Sequence, residues 1–154
     1  MKRIIVIVII GFVFATVQAQ MDNPLKEGMP NTVKLPNGEV IYDLNGEWDA
    51  VYDSGGYGTY KDIVKITQED KQFVGIYLLK GDNRVGKNEE KVKGKLNGNV
   101  FAEVLFHVVD PSTFEVFWDS VEGEISKDGN EIEIKRIYEY KGAKTIQTLS
   151  LKRK

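Results

Sequence analysis

The chain of 154 residues has no cysteine and one histidine, His107. Without cysteine there is no disulfide, no thiolate ligand for a metal and no lipid attached through a cysteine. One histidine leaves no zinc set of the usual kind, and a nucleophile–histidine arrangement has only His107 to use. A basic excess is lacking too: 21 Lys and Arg stand against 23 Asp and Glu, a net charge of −2. Nucleic acid calls for a cationic face, so that class of partner is not expected. Proline is scarce, and no segment from Leu44 onward spaces its apolar residues at a helical period. The N-terminal apolar run, Ile4 to Val17, is too short to span a membrane comfortably.

That run reads as a secretory signal. Lys2 and Arg3 precede it, and Val17 and Ala19 occupy the positions a signal peptidase reads, so residues 1–19 are expected to be removed before Gln20. The product is expected to be secreted, either periplasmic or extracellular, with a net charge of about −4. About 135 residues remain, enough for one domain with a real core. Residues 20–43 hold three of the four prolines and read as a tether, with a small hairpin turning at Asn37-Gly38.

Residues 44–154 alternate in short runs punctuated by turn signals, which indicates an all-β fold. Eight strands are predicted: 47–53, 59–67, 72–80, 90–96, 99–109, 113–127, 130–140 and 143–153. The turns are "QEDK" (68–71), "NG" (97–98), "DPS" (110–112), "DG" (128–129) and "KG" (141–142). In the long sixth strand Phe114, Val116 and Trp118 alternate and then Val121, Gly123 and Ile125 do, a change of phase that implies a bulge near Asp119-Ser120. Turn lengths set the registers: Ile125 opposite Ile132, Ile134 opposite Leu149, Arg136 opposite Gln147, Tyr138 opposite Thr145, and Ile66 opposite Phe73. The strand 99–109 is apolar on both faces. A three-residue turn before it places Val100, Ala102, Val104 and Phe106 inside, and a two-residue turn at Asn97-Gly98 places Phe101, Glu103, Leu105 and His107 there instead. The three-residue turn gives Val92, Gly94 and Leu96 small and aliphatic partners and is the one adopted.

Run alternately up and down, these strands make an eight-stranded antiparallel barrel. Its lower end is expected to be dry, with Trp48, Ile66, Phe73, Ile125, Ile132 and Leu151. Its upper end carries the longer loops and the polar inward residues Tyr52, Tyr60, Asp62, Tyr77, Tyr138 and Tyr140, with Arg136 and Gln147 at mid-height.

At "LNGEW", residues 44–48, the pattern Gly46-x-Trp48 at the start of the first barrel strand resembles the signature of lipocalins and their calycin relatives. The resemblance covers about residues 44–153 as a strand pattern. It lacks the family's C-terminal helix and its later loop motif. It implies that Trp48 closes the blind end of the barrel and that Arg153 packs across it as a cation–π lid. It also implies a barrel able to carry one small apolar ligand.

Arg136, Tyr138, Gln147 and Thr145 form an inward group suited to the carboxylate or other polar head of a ligand. The alternative is a structural network in which Arg136 pairs with Asp62, the one clearly inward carboxylate in this pattern. The glycine-rich "DSGGYGTY", 53–60, lacks the lysine and helix of a phosphate cradle and reads as a mouth loop with Tyr57 exposed. On the outer face Ile63, Val74, Ile76 and Leu78 make an apolar stripe. Its expected cover is the N-terminal segment through Val33, Leu35, Val40 and Tyr42, or else a partner or second copy. Most other carboxylates lie on outward parity beside lysines. The expectation is a secreted barrel, not an enzyme and with no cofactor, that binds a small apolar or anionic amphipathic ligand at its open end. Arg136, Tyr138, Gln147, Asp62, Tyr60, Tyr77, Tyr52 and Tyr140 would line the site. The competing expectation is a filled barrel that acts as an interaction or inhibitor module of the cell envelope.

Overall fold

The computed structural model describes residues 25–154 apart from 57, 83, 84, 111, 112 and 114. The signal reading of residues 1–19 and the exposure of Tyr57 lie outside the described residues. Eleven strands are present and, among the described residues, no helix. They are β1 (Thr32–Lys34), β2 (Val40–Tyr42), β3 (Gly46–Asp53), β4 (Thr59–Glu69), β5 (Gln72–Tyr77), β6 (Glu90–Asn97), β7 (Val100–Val109), β8 (Val116–Ser120), β9 (Glu122–Ile125), β10 (Glu131–Tyr140) and β11 (Ala143–Arg153).

Strands β3 to β11 form one antiparallel sheet in the order β8-β7-β6-β5-β4-β3-β11-β10-β9. Its two ends are consecutive pieces of chain. The expected sixth strand divides at Val121, so the sheet has nine strands where eight were predicted, and the sheet nearly closes into a barrel. The upper piece, β8, pairs with β7, and the lower piece, β9, pairs with β10. At the division the Val121 N–H donates to Val104 O at 3.0 Å. Above Lys135, among the described residues, the strand β10 has no ladder partner on that side, which leaves a seam between β8 and the upper half of β10.

The β10–β11 register follows the predicted pairs, with Ile134 opposite Leu149, Arg136 opposite Gln147 and Tyr138 opposite Thr145. The β4–β5 register differs by two residues. Ile66 faces Gly75, not Phe73, and Val64 faces Tyr77. The cause is Asp70, whose φ of 51° allows a two-residue turn at Asp70-Lys71 and carries β4 on to Glu69, opposite Gln72. A shift of two keeps every side chain on its face, so Val64, Ile66, Phe73 and Tyr77 are all buried. The adopted three-residue turn does not form: Asn97 faces Val100 across a two-residue turn, and Leu96 faces Phe101, which packs on Phe73. A bulge between Lys95 and Leu96 leaves Ala102 exposed and then turns Val104, Phe106 and Val108 inward. His107 therefore faces outward and stacks on Trp118 at 4.8 Å. Gly94 has no room for a larger residue, since a Cβ there would stand 2.1 Å from Glu103 O and 2.9 Å from the Phe73 ring.

Residues 25–43 are a packed cap, not a free tether. Ile41, Tyr42 and Leu44 are buried in the core cluster. Asn31 Nδ2 donates to Asp128 O, Tyr42 Oη to Lys127 O, and Gln68 Nε2 to Tyr42 O. An ion pair joins Lys71 to Glu39 at 2.6 Å. All of these partners belong to the lower turns, so the hairpin covers the lower end and not the outer stripe as expected. Ile63, Val74, Ile76 and Leu78 are half-buried in their own row.

Beside the cap sits the Trp48–Arg153 pair. The Arg153 guanidinium lies 4.4 Å from the Trp48 ring, and its N–H groups donate to the carbonyls of Asn45 and Asp43. Trp48 is fully buried and donates its indole N–H to Leu44 O. Gly46 takes a φ of 128°, which L side chains rarely adopt, and this explains the glycine two residues before the tryptophan.

Candidate functional site

The upper half of the barrel interior holds two ion pairs, built differently. The first is Arg136 with Asp119. Arg136 Nε donates to Asp119 Oδ2 at 2.6 Å, and its Nη1 donates to Gln147 Oε1 at 3.3 Å. The Tyr138 ring lies 4.3 Å from the guanidinium carbon and the Phe117 ring 5.7 Å. Gln147 Nε2 in turn donates to Ser54 O and contacts Tyr138 Oη at 3.5 Å. The strands explain the grouping: Arg136 and Tyr138 are two apart on β10, Gln147 is directly opposite Arg136 on β11, and Asp119 reaches across the seam from β8. The Arg136 side chain is 7% exposed, whereas Asp119 is 35% exposed.

The second pair is Lys91 with Asp82, 2.8 Å apart, with side chains 2% and 4% exposed. Lys91 Nζ also donates to His107 O and lies 4.2 Å and 4.3 Å from the Tyr52 and Phe106 rings. Tyr77 Oη donates to Asp82 Oδ2. Burial pulls the Lys91 ammonium below its ordinary pKa, Asp82 draws it back up, and Arg136 is near enough to add repulsion. Burial beside Asp82 pushes the Tyr77 phenol well up. Phe106 touches this group and faces Asp119 across the β7–β8 ladder, so one ring separates the two pairs.

Asp82 belongs to the connection between β5 and β6, which folds over the upper end. Val85 of that connection is buried in the core cluster. Asp62 holds its base: the carboxylate accepts N–H bonds from Ile63, Leu79, Lys80 and Gly81 at 2.7–3.0 Å. Burial pushes the Asp62 carboxyl up, but these four donors outweigh it and hold the pKa below the usual value.

The eight residues expected around one mouth therefore divide. Arg136, Tyr138 and Gln147 come together, with Thr145 beside them against Gly55. Tyr52, Tyr60 and Tyr77 belong to the Lys91 side, where the Tyr52 and Tyr60 rings stack at 6.1 Å. Tyr140 stands at the outer turn, 5.1 Å from Lys141 Nζ. Asp62 is spent on the loop, and the expected Arg136–Asp62 pair does not form. Asp119 takes that place. The expected phase change near Asp119-Ser120 does not occur: Val116 is exposed and Trp118 stacks on outward His107, so Asp119, opposite inward Phe106, keeps the inward parity of Gly123 and Ile125. The parity pattern missed Lys91 because a bulge between Gly75 and Ile76 turns both Lys91 and Val92 inward.

Elsewhere, an outer-face cleft of about 600 Å³ lies over β3, β9, β10 and β11, lined by Asp49, Glu124, Glu131 and Lys152. Ile137 and Ile146 form a half-exposed cross-strand pair on the outer face near the seam. Among the described residues no cluster of three or more His, Asp or Glu stands ready for a metal, and no helix is long and apolar enough to cross a membrane. The chain matches none of the family models, curated proteins or solved structures compared with it.

Proposed function

We propose that the protein is a secreted, lipocalin-like barrel that holds a small amphipathic ligand at its upper end, with the polar head at Arg136. The supporting observation is the contrast between the two ion pairs. Burying an unpaired cation is costly, so both Lys91 and Arg136 need a partner. Lys91 has one that is sealed from water and fixed in the core. Arg136 has one that is one-third exposed, on a strand across an open seam. Such a partner neutralises Arg136 yet remains within reach of water, so an incoming anion can take its place, as a ligand site requires. The Phe117 and Tyr138 rings supply apolar surface beside a charge, which suits an amphipathic molecule. The Gly46-x-Trp48 pattern with Arg153 across Trp48 supports a calycin-type barrel, with the split strand counted as one of eight. No step of this reading needs catalysis or a cofactor.

Native mass spectrometry of the exported protein, purified without detergent, tests the reading. An added mass lost on denaturation and reduced at least tenfold in occupancy in Arg136→Ala is the expected result. An apo mass that survives exposure to lipid extracts would sink it. The second reading, a filled barrel acting through its surface, is favoured by one observation: Val85 and Asp82 plug the upper end over β5 and β6. In that case Ile76→Glu on the outer stripe, not Arg136→Ala, would abolish function.

A further inference from the structure

The geometry points to Asp119 as an internal counter-ion that occupies the anion subsite of Arg136 until the ligand's own anionic head displaces it through the β8–β10 seam. This rests on the ligand-binding reading and adds to it a ligand class, a route and a competitor. Arg136 is held independently of Asp119. Gln147 Oε1 accepts from its Nη1, the Tyr138 ring lies 4.3 Å away, and its backbone is fixed in the β10–β11 ladder opposite Gln147. The guanidinium thus stays in position if the carboxylate leaves.

Asp119 is held less firmly. Among the described residues its carboxylate accepts one hydrogen bond, the 2.6 Å contact from Arg136 Nε. Its strand is laddered on the β7 side alone and ends at Ser120, one residue before the chain crosses to β10. The side chain is already 35% exposed, so rotation into water is a short path. The place it would vacate faces a planar guanidinium donor, bordered by Phe117 and Tyr138. Those surroundings fit a carboxylate on an apolar chain, which reproduces the charge-assisted bond that Asp119 gives up. The ion pair spans the foot of the seam, because the last β9–β10 rung is Glu122–Lys135 and Arg136 is the next residue of β10.

Dodecanoate and its neutral counterpart dodecan-1-ol serve as probes, titrated calorimetrically into the wild type, Asp119→Asn and Asp119→Glu. Asp119→Asn, which keeps the shape and removes the competing charge, is expected to bind dodecanoate about tenfold more tightly than the wild type. Dodecan-1-ol affinity should not change, and Asp119→Glu should restore the wild-type value for dodecanoate. Asp119→Ser repeats the comparison if the Asn variant does not fold. Binding by the wild type with no gain, or a loss, in Asp119→Asn overturns the counter-ion and leaves the ligand reading standing. An equal gain for both probes also overturns it, since that would mean a loosened seam. Absence of dodecanoate binding in every variant overturns the subsite and the ligand reading together.

Discussion

Lys91 shows what a sealed charge does in this interior. Its ammonium is enclosed by Asp82, a backbone carbonyl and two rings, at 2% exposure. Removing one member of such a pair strands the other, which typically costs about 3–5 kcal/mol, while replacing both with uncharged residues of like size is often neutral. Lys91→Met should therefore lower the urea unfolding free energy by about 3 kcal/mol or more, and Lys91→Met with Asp82→Asn should recover most of the loss. Equal losses in the single and double variants would mean that packing, not the pair, holds this corner. Arg136, whose partner is open to water, should show a smaller stability effect and a larger ligand effect. The two cations thus separate a structural charge from a functional one by measurement.

Asp62 acts on a whole element. Its four N–H acceptor bonds fix the start of the 78–89 connection, and that connection brings Asp82 and Val85 into the core. Its folded-state pKa lies below the unfolded value of about 3.9, so the stabilisation is complete above about pH 4. It is lost as pH falls through the lower folded value. The difference in melting temperature between wild type and Asp62→Asn should therefore be constant near neutral pH and narrow below about pH 4. A gap that persists unchanged to pH 2.5 would assign the effect to the amide's shape and not to charge. Sequence periodicity made some elements legible and not others. The β10–β11 hairpin was readable in register because Lys141-Gly142 is a short turn between two cleanly alternating runs. The β4–β5 pair was right in facing and wrong by two residues, since parity cannot distinguish shifts of two. The cap at residues 25–43 looked like a tether because its buried residues, Ile41, Tyr42 and Leu44, are few and their partners lie far along the chain, at 68, 127 and 129.

For the whole molecule, one sheet closes on itself by sharing a strand between its two ends, and the sharing is imperfect. The chain that pairs with β7 above Val121 pairs with β10 below it, so the wall is continuous in its lower half and parted in its upper half. The lower end is capped by the hairpin and packed around Trp48. The upper end is plugged over β5 and β6 by Asp82 and Val85, and the seam is left at Arg136. Of the candidate site, Arg136, Tyr138 and Gln147 were legible because they share one face of one hairpin. Asp119 was not, because the apolar alternation of Val116 and Trp118 beside it marks the outer face of β8, and a polar residue between them looks outward in the sequence. The most direct measurement is NMR of the isotopically labelled protein titrated with dodecanoate, following the Arg136 guanidinium and the backbone amides. Saturable shifts are expected at Arg136, Tyr138, Gln147 and residues 116–120, with little change at Ile63, Val74, Ile76 and Leu78. Saturable shifts confined to that outer stripe, or no shifts up to millimolar ligand, would contradict it.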